Sequence, residues 1–201
     1  MLDSSSYVII GNHTGVGKTL ISAILCQKLC VSYFKPIESG DPSDSARVRK
    51  LTSGIKVYPP LISFAEEEPP HELLKRYGKR LTITQICQNL PHDKLIVETA
   101  GGWYSPLNDE ETMADLALAL NFPVVLVFRP YLGAINHSFL TVEAISHTKL
   151  PIMGFFINGL DQWGLKDLVV RRYGLRCLGE IPELETISPK FVQEIAYKLW
   201  Q

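Results

Sequence analysis

The sequence contains no apolar run that approaches the roughly 18 residues needed to cross a bilayer, and its N-terminus lacks the charged and apolar regions of a signal peptide. It also lacks an excess of either charge, because 20 Lys and Arg residues face 21 Asp and Glu residues, for a formal net charge of -1. Neither sign is concentrated in a patch that would bind nucleic acid or a membrane surface. We therefore expect a cytoplasmic protein whose partners are small molecules.

Cysteine is scarce as well. The four cysteines are Cys26, Cys30, Cys87 and Cys177, and their spacing is not that of a metal site. Three of them fall inside apolar segments. This predicts that they are reduced residues of the core.

Strand and helix signals alternate along the whole chain. Apolar runs rich in β-branched residues predict strands at residues 7–10, 95–97, 124–128 and 152–157, with a weaker pattern at 176–181. Apolar residues at three- and four-residue spacing predict helices at 18–29, 81–89, 113–120, 136–147, 164–173 and 188–200. Because the strands are apolar throughout, both faces must be covered, which is typical of a parallel sheet. We expect one α/β domain over residues 1–201, with helices on both sides of the sheet.

The segment from Tyr7 to Thr19 passes from a buried strand through a Gly-rich turn into an amphipathic helix, which is the context of a phosphate loop. Backbone N–H groups freed by glycine and the positive end of the helix dipole would meet at one anion. Lys18 would reach the β- and γ-phosphates of a nucleoside triphosphate, and the Thr19 hydroxyl would complete a Mg²⁺ shell. The loop is a variant, because Asn12 stands where the usual pattern has glycine and Gly11 lies one step earlier. The predicted nucleotide contacts are Gly15, Val16, Gly17, Lys18 and Thr19.

Five motifs follow one another in the order found in one enzyme family. They are Gly11 to Thr19, Phe34-Lys35-Pro36-Ile37-Glu38-Ser39-Gly40, Val97-Glu98-Thr99-Ala100-Gly101-Gly102-Trp103, Leu132-Gly133-Ala134-Ile135-Asn136-His137 and Leu178-Gly179-Glu180-Ile181-Pro182. With these motifs, the chain resembles the dethiobiotin synthetases over most of its length. The resemblance implies a doubly wound, mostly parallel sheet of the P-loop NTPase type, in agreement with the strand and helix pattern. It also implies a homodimer whose active sites lie near the subunit interface.

The resemblance further implies a reaction of ATP, CO₂ and 7,8-diaminononanoate. In this family a substrate amine and CO₂ form a carbamate, which attacks the γ-phosphate to give a mixed anhydride. The second amine then closes the ureido ring and expels phosphate. An anionic carbamate must approach an anionic phosphate, so the reaction needs cations on both sides. Lys18 is one such cation, and Lys35, which matches the family lysine after the second strand, is the other and would face the carbamate.

Metal binding is expected beside these lysines. Mg²⁺ takes hard oxygen ligands and few protein contacts. The resemblance implies Thr19, Glu98 and Asp44 as ligands, and Glu98 ends an apolar run at the edge of the sheet where such folds bind ligands. Asp41 stays open as an alternative to Asp44, because the loop after Ser39 is shorter than is usual in the family.

Substrate and base contacts also follow from the resemblance. The substrate contacts would be Thr14, Ser39, Gly101, Gly102, Gly133 and Asn136. The last two begin a helix whose free N–H groups suit a carboxylate across the dimer. Adenine would lie near Asn158, whose amide can pair with a donor and an acceptor, and near Pro182, Glu183 and Leu184. Asn158 followed by Gly159 is equally typical of a plain turn. His137 is interpreted as an ordinary residue of the first helical turn.

Three residues depart from the family pattern. His13 stands where Asp is usual, Gly15 where an acidic residue is common, and Thr99 where Gly is usual, which leaves the strictness of the ATP preference open.

Two other functions stay open. A regulatory ATPase of the partition or division-site type shares the fold but uses a lysine at the position of His13. An amide-forming ligase of the cobyrinic acid synthase type shares the P-loop domain but carries a glutaminase domain, for which the sequence offers no convincing candidate.

Overall fold

The structure, a computed structural model, describes residues 2–3, 5–184 and 186–200. Its strands are β1 (Tyr7–Gly11), β2 (Ser32–Phe34), β3 (Ile37–Ser39), β4 (Ile62–Phe64), β5 (Leu95–Gly102), β6 (Val124–Phe128), β7 (Ile152–Asn158) and β8 (Cys177–Ile181). Its helices are α1 (Lys18–Leu29), α2 (Asp44–Leu51), α3 (Pro70–Arg76), α4 (Ile83–Gln88), α5 (Met113–Leu120), α6 (Ala134–Ser146), α7 (Leu165–Tyr173) and α8 (Pro189–Lys198). None of these helices is both long and apolar enough to span a membrane.

The central sheet has six parallel strands in the order β2-β5-β1-β6-β7-β8, and β3 and β4 form a separate parallel pair. β1 lies between β5 and β6, and every residue of β1 and β6 is buried. Parallel strands need crossover connections, and the helices that provide them cover both faces of the sheet. The doubly wound, mostly parallel α/β fold expected from the sequence is confirmed.

Two hydrophobic clusters hold the helices against the two faces of the sheet. Successive side chains of β1 divide between them, because Tyr7 and Ile9 belong to one cluster while Val8 and Ile10 belong to the other. The first cluster includes residues of α1, α2 and α8, and the second includes residues of α3 to α7. Each large aliphatic side chain buried in this way stabilises the fold by about 1.5–3 kcal/mol. The core therefore fixes both β1 and the helix that follows it.

The loop after β1 lies at the C-terminal edge of the central sheet. α1 begins at Lys18, directly after Gly17, whose φ of 93° is in the left-handed region that favours glycine. Since all six strands are parallel, the chain leaves β1, β2 and β5 at the same edge. This topology brings together the loop after β1, Lys35 after β2 and Glu98 within β5, at the position where open α/β sheets bind ligands.

The sequence pattern predicted most of these elements but not all of them. The predicted strands match β1, β6, β7 and β8, and the predicted helices match α1 and α4 to α8 within a few residues. The strand predicted at 95–97 corresponds to the start of β5, which continues to Gly102, so Glu98 lies within the strand and not at its end. The pattern missed β2, β3 and β4, because a strand of three residues is too short to show a period. It also missed α2 and α3.

The expectation about the cysteines is wrong in part. All four are free thiols, and Cys26 is buried, but Cys30 and Cys87 are exposed and Cys177 is only partly buried. Cys30 ends α1 with a left-handed φ of 54°, so it belongs to a surface turn rather than to the buried side of the helix. Cys87 lies in α4, whose buried residues are Ile83 and Ile86.

Candidate functional site

Gly17 and Asn158 hold the loop between β1 and α1 in shape. Asn158, at the end of β7, is 7% exposed and donates from Nδ2 to the Val16 carbonyl oxygen over 2.9 Å. A Cβ atom on Gly17 would collide with the Asn158 side chain, so glycine is needed there for space as well as for backbone conformation. Gly15 is exposed and faces open space. In this arrangement the backbone N–H groups at the start of α1 can bind an anion.

Lys18 places a buried ammonium group inside the loop. The residue is 6% exposed, and the only hydrogen bond of its Nζ within the described residues goes to the His13 carbonyl oxygen over 3.4 Å. Burial lowers the pKa of Lys18 to about 8, while the charge of Glu98 opposes this shift and that of Lys35 adds to it. A buried, weakly paired cation gains from an anionic partner, so Lys18 is well placed to bind phosphate.

Three oxygen atoms meet beside Lys18 in a way that favours a cation. The Thr19 hydroxyl oxygen lies 2.8 Å from Asp44 Oδ1 and 2.9 Å from Glu98 Oε1. A hydroxyl has one proton and can donate it to only one of these two oxygens at a time. Mg²⁺ prefers hard oxygen ligands, so the donor set fits the ion expected from the sequence. Asp41, the alternative to Asp44, is exposed and has no bond to Thr19 in the described part of the chain.

Lys35 lies between the same two carboxylates. Its Nζ forms an ion pair with Asp44 Oδ2 and donates to Glu98 Oε1 over 3.1 Å. Burial alone would lower the pKa of Lys35, but the charges of Glu98 and Asp44 outweigh it and raise this pKa above its ordinary value. Burial likewise acts to raise the pKa of Asp44, but the Lys35 charge prevails and lowers it. Lys35 and Asp44 therefore remain ionised at neutral pH.

A cavity of about 610 Å³ opens over these groups. Among the residues predicted from the sequence, its walls include Thr14, Gly15, Gly17, Lys18, Thr19, Lys35, Ser39, Asp44, Glu98 and Gly101. Another wall is formed by residues 67–71, which lead into α3. Its volume lies in the range of about 300–1,000 Å³ found for small-molecule sites. The cavity joins the predicted phosphate, metal and substrate groups in one space.

The predicted contacts at the start of α6 lie outside this cavity. Gly133 is the N-cap residue of α6, with a φ of 98°, and both Gly133 and Asn136 are exposed. The ring of His137 stacks on that of His13 in the phosphate loop, with centroids 6.3 Å apart. A hydrogen bond of 2.7 Å joins His137 Nδ1 to the Tyr131 hydroxyl. The start of α6 is therefore an exposed surface beside the phosphate loop of the same chain.

The predicted base contacts lie at the ends of β7 and β8. Gly159, which follows Asn158, donates from its N–H to the Ile181 carbonyl oxygen over 2.8 Å, which brings Asn158 close to Pro182. Pro182 and Glu183 are exposed, Leu184 is partly buried, and Glu183 forms an ion pair with Arg129. None of Pro182, Glu183 and Leu184 belongs to the cavity. Their contact with a nucleotide base stays a prediction.

Gly102, by contrast, supports the site from behind. Its N–H donates to Ser105 Oγ over 2.8 Å. A Cβ atom on Gly102 would lie 3.4 Å from the Gly11 carbonyl oxygen, so the residue lets the end of β5 approach the phosphate loop closely. Gly102 is not part of the cavity wall.

Two buried contacts that orient the carboxylates were not predicted from the sequence. Tyr33 donates from its hydroxyl to Glu98 Oε2 over 2.9 Å. Glu38 Oε1 accepts from the Ser45 N–H over 2.8 Å and from the Ser45 hydroxyl over 2.6 Å. Since Ser45 follows Asp44 in the first turn of α2, Glu38 fixes the start of that helix and with it the position of Asp44. Glu38 belongs to the motif that contains Lys35 and Tyr33 directly precedes that motif, but no local pattern shows what a buried polar side chain will meet.

A third unpredicted contact joins the phosphate loop to α6. Asn12, the residue that replaces the usual glycine, donates from Nδ2 to Ser138 Oγ over 2.8 Å. Both residues are buried. Asn12 Oδ1 is buried without a hydrogen-bond partner among the described residues. The only available signal was the departure from the glycine pattern, which marks Asn12 as unusual without identifying its partner.

The chain resembles known proteins over most of its length. A family model described as an AAA domain matches residues 5–190. The chain is 34% identical over 198 residues to an ATP-dependent dethiobiotin synthetase of Christiangramia forsetii, with 96% of this chain and 95% of that protein covered. It is 31% identical over 182 residues to the protein of the same name from Paramagnetospirillum magneticum, with 90% and 89% covered. The protein of that name from Chlamydia pneumoniae is 37% identical over 157 residues, with 77% and 71% covered.

Solved structures with a similar fold are P-loop ATPases. A ParA family ATPase from Chlorobium tepidum has a TM-score of 0.59 and 12% identity, with 98% of this chain and 100% of that chain covered. The septum site-determining protein MinD of Pyrococcus horikoshii, solved with Mg-ADP, has a TM-score of 0.55 and 15% identity, with 97% and 95% covered. Identities this low show a shared fold and nothing about activity. The relatives that are more than 30% identical over most of the chain decide the relationship, and the chain belongs to the dethiobiotin synthetase family.

Proposed function

We propose that this protein is an ATP-dependent dethiobiotin synthetase, which joins CO₂ to 7,8-diaminononanoate and closes the ureido ring, with release of ADP and phosphate. The observation that carries the proposal is the meeting of Lys18 and Lys35 with the oxygens of Thr19, Asp44 and Glu98 in one cavity. Such a cluster suits a reaction that brings two anions together. Membership of the family supports the choice of substrates.

The two lysines divide the charge of the reacting groups between them. Lys18, with the backbone N–H groups at the start of α1, would hold the β- and γ-phosphates of ATP. Lys35 would face the carbamate as its oxygen approaches the γ-phosphate. Because both ammonium groups are buried, each acts at a lower effective dielectric constant than in water, which strengthens its attraction for the anions.

The same cations serve the second half of the reaction. Attack of the carbamate oxygen on the γ-phosphate releases ADP and leaves a carbamic–phosphoric anhydride. The second amine then attacks the carbamoyl carbon, closes the ring and expels phosphate. Lys35 is placed to stabilise the negative charge that passes to the leaving phosphate, since it lies at the carbamate side of the cavity.

We assign Mg²⁺ to Thr19, Asp44 and Glu98. The Thr19 hydroxyl oxygen lies 2.8 Å from Asp44 Oδ1 and 2.9 Å from Glu98 Oε1. When bound, the ion supplies positive charge to the phosphate oxygens. Lys35 pairs with both carboxylates and balances only one of their two negative charges. An added cation at this site would loosen that pairing and leave more of the Lys35 charge for the carbamate.

We assign the remaining contacts by the part of the substrate that each residue can reach. Thr14, Ser39 and Gly101 line the cavity and would bind the diamine, while Gly102 shapes the turn behind it. The substrate carboxylate would lie at Gly133 and Asn136 of a second copy in a homodimer, because these residues are exposed and do not line the cavity of their own chain. The adenine would lie near Asn158, Pro182, Glu183 and Leu184.

A cytoplasmic location is part of the proposal. ATP is used there, and the four free thiols suit a reducing compartment.

The experiment is a reconstituted reaction with purified protein, 7,8-diaminononanoate, ATP, Mg²⁺ and bicarbonate, in which dethiobiotin is identified by mass spectrometry. Lys35→Ala removes the cation at the carbamate side, and we expect it to lower the rate by about 100- to 1,000-fold, as the loss of one stabilising charge does in other enzymes. Lys50→Ala, at an exposed position in the last turn of α2, is the matched control and should retain the wild-type rate.

The result separates the candidate functions. The synthetase is supported if dethiobiotin forms only when all four components are present. Its rate of formation should also fall in Lys35→Ala but not in Lys50→Ala. Phosphate release that ignores the diamine and yields no cyclic urea would exclude the synthetase and favour a switch ATPase. Equal rates in both lysine variants would remove the role assigned to Lys35.

A further inference from the structure

Glu98 uses its two oxygens for different purposes. Oε1 faces the site, where it lies 2.9 Å from the Thr19 hydroxyl and 3.1 Å from Lys35 Nζ. Oε2 accepts a hydrogen bond of 2.9 Å from the Tyr33 hydroxyl. Glu98 is 1% exposed, so water has almost no access to either oxygen. The tyrosine hydroxyl is the one donor to Oε2 among the described residues.

Tyr33 is held in place independently of Glu98. It is the middle residue of β2 and pairs with Ile96 of β5. Its N–H donates to the Lys56 carbonyl oxygen and its own carbonyl oxygen accepts from the Tyr58 N–H, each over 2.9 Å. Its side chain is fully buried. The backbone pairing and the burial therefore hold the hydroxyl where it can donate to Glu98.

We propose that Tyr33 is a positioning residue that holds Glu98 Oε2, so that Oε1 alone is presented to the metal ion and to Lys35. The proposal rests on the function proposed above and deepens its metal site. A carboxylate rotates easily about its last side-chain torsion, for which the energy wells are broad. A fixed donor on one oxygen removes that freedom. Glu98 would accordingly offer the metal one oxygen rather than two.

The chain contains a matched control for this role. Tyr7 is also a buried tyrosine of the central sheet, 2% exposed, and its hydroxyl donates to a carboxylate oxygen, Asp3 Oδ1, over 2.9 Å. It begins β1, whereas the phosphate loop follows the other end of that strand. Tyr7→Phe and Tyr33→Phe therefore each delete one hydroxyl from a buried tyrosine that is bonded to a carboxylate. Only Tyr33 touches the candidate metal ligands.

The test measures metal binding directly, with Mn²⁺ as a paramagnetic probe and ADP present, by the electron paramagnetic resonance signal of unbound Mn²⁺. We expect Tyr33→Phe to raise the Mn²⁺ dissociation constant by roughly 10-fold or more, the usual effect of losing a group that orients a metal ligand. Tyr7→Phe should change it by less than about twofold, and neither variant should change ADP affinity without metal by more than about twofold. The rate at saturating Mg²⁺ should recover in Tyr33→Phe, because the ligand itself is still present.

Each other outcome has a definite meaning. Melting curves without metal establish that both variants are folded before the titration. Unchanged Mn²⁺ binding in Tyr33→Phe, or an equal loss in the two variants, would overturn the positioning role while leaving the proposed function intact. The positioning role would also be overturned if Tyr33→Phe lost as much affinity for ADP without metal as it loses for Mn²⁺. The hydroxyl would then support the fold of the whole site. Wild-type protein that binds Mn²⁺ no better with ADP would overturn the metal site, and this proposal with it.

Discussion

The charged centre beside α1 and the exposed start of α6 lie on two sides of the same phosphate loop, yet they are built in opposite ways. In the charged centre, Glu98 is 1% exposed and Lys35 is 7% exposed, and both are fixed by side-chain contacts within the chain. At the start of α6, Gly133 and Asn136 are exposed and Leu132 is 90% exposed. One region is complete in a single chain, and the other presents its groups outward.

The difference shows that the charged centre is preorganised, whereas the start of α6 is not. Electrostatic stabilisation works best when the charged groups are fixed before the substrate arrives, because no reorganisation is then needed during the reaction. The groups beside α1 meet that requirement. Under the function proposed above, the start of α6 acts only when a ligand or a second copy covers it. We therefore expect changes in the first region to lower kcat and changes in the second to raise the KM of the diamine.

The largest effect should come from breaking the charged centre at Glu98. Glu98→Gln keeps the shape of the side chain but removes the charge that faces Thr19 and Lys35. We expect kcat to fall by about 100- to 1,000-fold at saturating substrates. Steady-state kinetics at several Mg²⁺ concentrations measure this. Glu180→Gln, which alters an exposed ion pair with Lys166, is the control, and an equal loss there would show that the effect is not local.

A change in the exposed region should have a smaller effect and one of a different kind. Asn136→Ala removes a polar side chain from the first turn of α6. We expect the KM of the diamine to rise by about 10-fold with kcat nearly unchanged, because only binding of the substrate carboxylate is weakened. A loss of kcat at unchanged KM would contradict the distinction between the two regions.

The contact between Asn12 and Ser138 joins the two regions, and its loss should affect both to a limited extent. Ser138→Ala leaves Asn12 Nδ2 buried without its acceptor. We expect the free energy of unfolding to fall by about 1–3 kcal/mol and the KM values of ATP and the diamine to rise together. Urea denaturation and steady-state kinetics measure these changes. Ser146→Ala on the same helix loses only a bond to the Val142 carbonyl oxygen within one turn, and it should leave both KM values unchanged.

The smallest effect should be a change in how stability depends on pH. Burial raises the pKa of Glu38 above its ordinary value, with hydrogen bonds from Ser45 acting against the shift. The folded protein therefore holds the Glu38 proton more tightly than the unfolded chain does, and this linkage makes stability fall as pH rises through the window between the two pKa values. Glu38→Gln has no such proton.

Urea denaturation at pH 5 and pH 7.5 compares the two proteins. The free energy of unfolding of the wild type, relative to that of Glu38→Gln, should be higher at pH 5 than at pH 7.5. The opposite sign would mean that the Ser45 bonds and the Lys35 charge outweigh burial at Glu38.

Most of the fold, and the residues that form the charged centre, could be predicted from the sequence. Strands buried on both faces must be apolar throughout, so β1, β5, β6 and β7 were visible as continuous runs. The order of the motifs placed Lys18 and Lys35 after parallel strands and Glu98 at the end of another, and parallel topology brings such positions together. The structure differs at Glu98, which lies within β5 rather than at its end. These inferences worked because each depends on a local pattern or on a general rule of topology.

The hydrogen bonds between polar side chains that are distant in the sequence could not be predicted. The bond from Tyr33 to Glu98 joins residues that are 65 positions apart, and the bond from Asn12 to Ser138 joins residues 126 apart. No periodicity links such positions. The sequence alone could not choose between Asp41 and Asp44 for the same reason. The fold places Asp44 against Thr19, whereas Asp41 is an exposed residue of the cavity wall, and this favours Asp44 for the proposed metal site.

In the proposed reaction, the charged centre couples ATP cleavage to ring closure on the diamine. Phosphate and dethiobiotin can be followed in the same reaction mixture, with and without 7,8-diaminononanoate. We expect equal amounts of phosphate and dethiobiotin, and almost no phosphate when the diamine is left out. Phosphate released at the same rate without the diamine would show that the two steps are not coupled.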